Sequence, residues 1–201
     1  MSDEHVWDAV AAERRSLVRL LEDLPESCWD HPSLCDGWRV RDVVAHVVLS
    51  ADASLGWIVR ELIRAYGSLD RAIRDTAIRH ADRTSTDALL AELRAGIPAR
   101  TTALGTTPAD RLMDLLVHGQ DIAVPLGIAR EMPTAAARTA AIRIWTTGAP
   151  FHARKKLRGY RLIASDADWS AGAGHPITAP IAILLMVLTG RTEIGAIADH
   201  R

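Results

Sequence analysis

Residues 114–121 read DLLVHGQD: an acid and a histidine four apart inside an apolar run, with a second acid three residues further on. On a helix, positions i and i+4 lie on one face, a turn apart. Asp114 and His118 there admit three readings: a surface pair, a buried hydrogen bond, or two ligands reaching for one metal. Asp121 lies on nearly the same face. It reads either as a solvent acid or arginine partner, or as the carboxylate that receives the second ring N–H of a metal-bound histidine. Gly119 beside the histidine allows close packing against the helix.

Working outward, Thr106-Thr107-Pro108 starts this helix, with Pro108 in its first turn, and PLG at 125–127 ends it. Towards the N-terminus, Val6, Val10, Leu17, Leu21 and Leu24 recur at helical spacing until Pro25. A loop rich in turn residues, PESCWDHPSLCDGW (25–38), follows. A second helix begins near Val40 and runs through VRDVVAHVVLSADASLGWIV, with a kink near Gly56. Two shorter helices cover AYGSLDRAIRDTAIRHADRTSTDALLAELRAG, the latter capped by Thr84, Ser85 or Thr86. Pro133 opens one more helix.

After about residue 150 the texture changes. LRGYRLIASDADWSAGAG predicts two short strands around a turn, and PIAILLMVLTGR a buried helix ended by Gly190. The fold class is therefore mainly α: a bundle of four main helices over 1–150 and a small α+β appendage over 151–201. No βαβ alternation and no phosphate-cradling glycine loop is present, which excludes a doubly wound nucleotide enzyme.

Composition narrows the function classes. An apolar fraction of 48% supports a real core, and a net charge of −1 argues against nucleic acid, which needs a concentrated basic surface. The tight basic cluster HARKKLRGYR (152–161) reads as a solvated connection. PIAILLMVL (180–188) falls well short of the roughly 20 residues that span a bilayer, so no membrane partner is expected. The acidic N-terminus lacks the basic-then-apolar order of a signal peptide, and the chain reads as cytoplasmic. Cys28 and Cys35 are too far apart for a CxxC motif and read as free thiols.

A second histidine changes the weight of the opening motif. His46 sits in VVAHVVL, among β-branched residues, where an unpartnered imidazole costs about 2 kcal/mol or more. Alone it reads as a core histidine with a satisfied ring. Together with Asp114 and His118 it makes two histidines and an acid on separate bundle helices, a set that zinc or non-haem iron accepts. Asp42, one turn before His46, is either a further acid near the site or an ordinary first-turn carboxylate. Trp38 reads as a core staple ahead of a pocket wall.

WDHPSLCDGWRVRDVVAHVV followed by DLLVHGQDIAVPLG resembles the DinB-like superfamily, and more narrowly the mycothiol-dependent maleylpyruvate isomerase family of actinobacteria. The segment RGYRLIASDADWSAGAGHPITAPIAILLMVLTGR is similar to the small C-terminal domain of those proteins. The resemblance implies an up-down-down-up four-helix bundle with one divalent metal, usually zinc, with iron or nickel as alternatives. It implies His46, Asp114 and His118 as ligands, Asp121 in support, and mycothiol as thiol co-substrate. Two positions depart from the family. Asp114 stands where the isomerase has Glu, one methylene shorter. Arg39 replaces a Thr or Ser after the motif tryptophan, removing a hydroxyl cap worth about 1 kcal/mol.

On this reading a metal with an open position deprotonates a low-molecular-weight thiol, which attacks a small electrophile. Isomerisation or a stable S-conjugate results, and Arg161 and Arg191 are candidates to bind a substrate carboxylate. The rival readings are a metal-free binding or regulatory module on the same fold, and a metal hydrolase using water. The partners expected are a small-molecule substrate and a thiol, with the chain as monomer or homodimer.

Overall fold

The computed structural model describes residues 1–50, 61, 63–64, 66–102 and 105–198. By packing, the chain divides into two compact units, one of residues 2–130 and one of residues 131–201 with Met1. The division comes ahead of the boundary expected at 150, because the helix after Pro133 shares its buried face with the C-terminal elements.

The first unit holds α1 (Asp3–Glu22), the short α2 (Glu26–Trp29), α3 (Val40–Leu49), α4 (Leu69–Ala81), α5 (Thr86–Ala95) and α6 (Pro108–Ala123). Each long helix starts where local chemistry satisfies free N–H groups. Ser2, Ser68, Ser85 and Thr107 accept from the first turns of α1, α4, α5 and α6. Asp110 reaches back to the Thr107 N–H at 2.8 Å, closing a capping box around Pro108. Helix α1 packs against α6 and α5, and α3 against α4, α5 and α6, so the helices close a ring around Leu17, Leu89, Leu112 and Leu116. The second helix ends at Leu49 with Ser50 as its cap; the continuation and the kink expected near Gly56 lie outside the described residues.

Arg39 does not leave α3 uncapped. Asp42, at the third helical position, accepts the Arg39 backbone N–H at 2.8 Å and its side-chain Nε at 3.0 Å. The guanidinium continues to Asp82 at 2.6 Å. Asp42 is thereby spent on the helix start and is not a further acid of the site.

The second unit holds α7 (Thr134–Thr147), α8 (Ala153–Lys156), β1 (Gly159–Ala164), β2 (Ser170–Gly172), β3 (Gly174–Ala179), α9 (Ile181–Leu188) and α10 (Gly195–Ala198). Two strands were expected and three form, in the order β2-β1-β3. Strand β1 pairs antiparallel with β2 and parallel with β3. The third strand, GHPITA, lacks a clean alternation and contains Pro176, which hides it from a pattern search. Gly174 is required in this arrangement: at φ +120° an added Cβ would stand 2.1 Å from the Gly159 carbonyl oxygen. Helix α9 is apolar on nearly every side and packs on α7 through Ala137, Ala140, Ala141 and Ile144.

Candidate metal centre

Helices α3 and α6 touch, and their contact brings His46 towards Asp114 and His118. The Asp114 Oδ1 atom lies 3.3 Å from His118 Nε2 and 3.5 Å from His46 Nε2. A tetrahedral ion with bonds of about 2.0–2.1 Å separates its ligand atoms by roughly 3.3–3.5 Å. The ligand atoms of all three residues fall within 4.8 Å of one another, so the set fits a metal. The shorter side chain of Asp114 still brings Oδ1 to both imidazoles.

Asp114 and His118 are each held from behind. The other oxygen of Asp114 receives Arg111 Nη1 at 3.3 Å and Ser50 Oγ at 3.4 Å. Arg111 also donates to the Ser50 hydroxyl at 2.6 Å and to the Ser50 carbonyl. His118 Nδ1 is 2.9 Å from Asp121 Oδ2, and Asp121 is completely buried. That contact assigns the Nδ1 proton to the Asp121 side and turns Nε2 towards Asp114. Replacing Asp121 by Asn removes the carboxylate that orients the ring. We expect Asp121→Asn to lower metal affinity by about 10–100-fold, measured by competition with a chromogenic chelator.

The loop of residues 30–39 closes one side. The Leu34 N–H donates to the Asp121 carbonyl at 3.0 Å, and the Ser33 N–H to the Trp38 carbonyl at 2.9 Å. Trp38 is therefore no core staple. Its ring stands 5.4 Å from that of His46 and 6.4 Å from that of His118, forming a wall of the site. Trp29, not Trp38, is the buried tryptophan of this segment.

The same loop delivers Cys35, whose Sγ is 3.1 Å from Asp121 Oδ2 and 3.7 Å from His118 Nδ1. Sequence reasoning treated Cys35 as a free thiol without a role and did not single out Ser50 or Arg111. The signal for the last two was present: Ser50 follows His46 by four residues and Arg111 precedes Asp114 by three, each on the ligand's own face. Nothing local could point to Cys35. Gly119 also has a use other than helix packing, because the Arg130 guanidinium lies against it. An added Cβ would meet Arg130 Nη1 at 2.6 Å.

Arg161 and Arg191 belong to the second unit. Arg161 is exposed on β1, and Arg191 follows α9 and donates to the Thr189 carbonyl at 3.1 Å. The centre itself is drawn wholly from the first unit.

Protonation is set by the same contacts. Burial opposes the charge on Asp114, but His118 and then His46 hold its carboxyl well below the usual carboxylate range. Burial likewise disfavours the His118 imidazolium, yet the charge of Asp114, together with the ring's hydrogen bonds to Asp114, Asp121 and Cys35, holds the ring well above an ordinary histidine. In the metal-free chain this ion pair stabilises the fold. The histidine's share is full below about pH 6.5 and is lost as pH rises through its raised folded pKa. The share of Asp114 is present above its unfolded range and is lost only as pH falls through its depressed folded pKa. A metal bound by His118 Nε2 would displace the proton there. Metal affinity should then rise about tenfold per pH unit below the raised pKa, with one proton released per ion. Calorimetric titration in two buffers of different ionisation enthalpy measures that proton directly.

Fold and site together define a helical-bundle protein with a histidine–carboxylate cluster between two of its helices. The family model described as the mycothiol maleylpyruvate isomerase N-terminal domain matches residues 10–123, and the chain belongs to that family. Two crystal structures of the mycothiol-dependent maleylpyruvate isomerase, one of them of a histidine-to-alanine mutant, superpose with a TM-score of 0.67. Each is 16% identical and aligns over 96% of this chain and 90% of its own, a likeness of fold. No curated protein matches by sequence. Among the described residues, no helix is long and apolar enough to cross a membrane.

Proposed function

We propose that this protein is a cytoplasmic metal- and thiol-dependent enzyme that isomerises, or adds a thiol to, a small electrophilic acid of the maleylpyruvate kind. Mycothiol is the proposed thiol, and His46, Asp114 and His118 are the proposed ligands of one divalent metal, zinc before iron or nickel. The observation that carries the reading is the convergence of two imidazole nitrogens on one oxygen of Asp114. Its support in kinship is the family match and the likeness of fold to the isomerase.

When bound, such a metal lowers the pKa of a thiol at its open position, as it does for a coordinating cysteine. The chain's own residues do the rest. Arg111 and Ser50 fix Asp114, Asp121 fixes the His118 ring, and Trp38 walls the two imidazoles on one side. The thiolate adds to the electrophile's carbon–carbon double bond, giving a carbanion stabilised by the adjacent carbonyl. Rotation about the former double bond, now single, and expulsion of the same thiolate re-form the double bond in the isomer and return the thiolate. If the carbanion is protonated instead, the S-conjugate remains. Arg161 or Arg191 is proposed to bind the substrate carboxylate, with Arg161 the more accessible of the two.

The test is turnover of maleylpyruvate by metal-loaded protein with and without mycothiol. The reading expects activity that needs both the thiol and the metal, is lost on adding chelator, and has a raised KM in Arg161→Ala or Arg191→Ala. Hydrolytic activity without thiol would favour the metal hydrolase. Protein that holds no metal would favour the binding module.

A further inference from the structure

The His118 ring has two nitrogen edges, and the proposed metal centre lies at Nε2. We infer that the other edge is a second metal site, for thiophilic ions of the zinc and cadmium class, made by Cys35 Sγ, Asp121 Oδ2 and His118 Nδ1. The three atoms form a closed triangle with sides of 2.9, 3.1 and 3.7 Å. Bonds of about 2.0 Å to nitrogen and oxygen and 2.3 Å to sulfur set the edges of a tetrahedral zinc site at roughly 3.3–3.6 Å. Shifts of a few tenths of an ångström therefore convert one arrangement into the other.

Both protons that an ion must displace already face a single acceptor. The Cys35 thiol donates to Asp121 Oδ2, and the same oxygen receives His118 Nδ1–H. A dication entering there takes the place of the two protons, which leave to water; nothing is oxidised or reduced. The thiol is held ready by its loop. The Ser33 hydroxyl accepts the Cys35 N–H at 3.1 Å and donates to the Trp38 carbonyl at 2.9 Å, and the Leu34 N–H binds the Asp121 carbonyl. Cys35 is half-exposed while Asp121 and His118 are buried, so an ion enters from the cysteine side.

Donor chemistry separates the two sites. The His46–Asp114–His118 set offers nitrogen and oxygen, whereas the Cys35 set includes sulfur, which selects softer ions. Occupation removes the hydrogen bond by which Asp121 orients His118, so a soft metal at this edge disables the first site. The inference needs neither a thiol substrate nor catalysis, and so stands apart from the function proposed above.

The experiment is titration of the metal-free full chain with cadmium chloride, followed by sulfur-to-cadmium charge-transfer absorption in the ultraviolet. The chain contains two cysteines, so Cys28→Ser and Cys35→Ser assign any signal, with circular dichroism confirming the fold. We expect the band in the wild type, in Cys28→Ser and in His46→Ala, and its loss in Cys35→Ser. Absence of the band in the wild type overturns the inference, as does a band that survives Cys35→Ser and vanishes in Cys28→Ser. A chain with the band but no thiol-dependent turnover keeps this site and loses the proposed function. Turnover without the band does the reverse.

Discussion

His118→Ala should cost more than any other single change at the centre, with metal affinity falling by more than the ~100-fold upper range for losing a residue behind a ligand. The ring faces Asp114, Asp121 and Cys35 at once. Its Nε2 faces Asp114 Oδ1 and its Nδ1 faces Asp121, with Cys35 beside it. Truncation removes a ligand and also takes the imidazole from the fully buried Asp121, which keeps the Cys35 thiol as a donor. Breaking a buried ion pair from one side costs about 3–5 kcal/mol. Part of that should appear as a lower thermal midpoint even in metal-free protein. His46→Ala separates the two effects, because among the described residues the acid that His46 faces is Asp114, which keeps Arg111 and Ser50. It should lose metal binding with a smaller loss of stability. Chelator competition and thermal melts of both metal-free variants measure the difference.

The second large effect lies on the opposite face of α6. Glu13 on α1 and Arg130 after α6 form an ion pair at 2.6 Å, with side chains 5% and 4% exposed. The Arg130 guanidinium lies against Gly119, its Nε and Nη1 find no hydrogen-bond partner among the described residues, and its carbonyl accepts Gln120 Nε2 at 2.7 Å. Glu13→Ala leaves this cation buried without a counter-charge. We expect a loss of about 3–5 kcal/mol, read as a lower midpoint in urea with an unchanged slope. Replacing both residues together, Glu13→Leu with Arg130→Met, should restore most of it, since an apolar pair of similar volume tolerates burial.

Much of the centre was legible because helical geometry is local. The spacing of Asp114, His118 and Asp121 placed them on one face before any contact was known, and Pro108 after Thr107 fixed where that helix starts. His46 was found because an imidazole among valines needs a partner. Cys35 was not legible. It is brought to Asp121 by a loop whose hydrogen bonds to α6 are set by tertiary packing, not by spacing. Arg39 misled for a related reason: its loss of a hydroxyl cap is offset from within the helix by Asp42. In the second unit, β3 escaped because it pairs parallel to β1, a non-local contact, and carries a proline that reads as a strand breaker. The boundary moved for the same kind of reason, since the small alanines of α7 belong with α9 and nothing in their periodicity names that partner.

The central claim is that His46, Asp114 and His118 hold one metal ion. Crystals of protein purified without chelator, measured on both sides of the zinc absorption edge, test it most directly. The account predicts an anomalous peak about 2.0–2.2 Å from His46 Nε2, Asp114 Oδ1 and His118 Nε2. A map with no peak at those three atoms would contradict it.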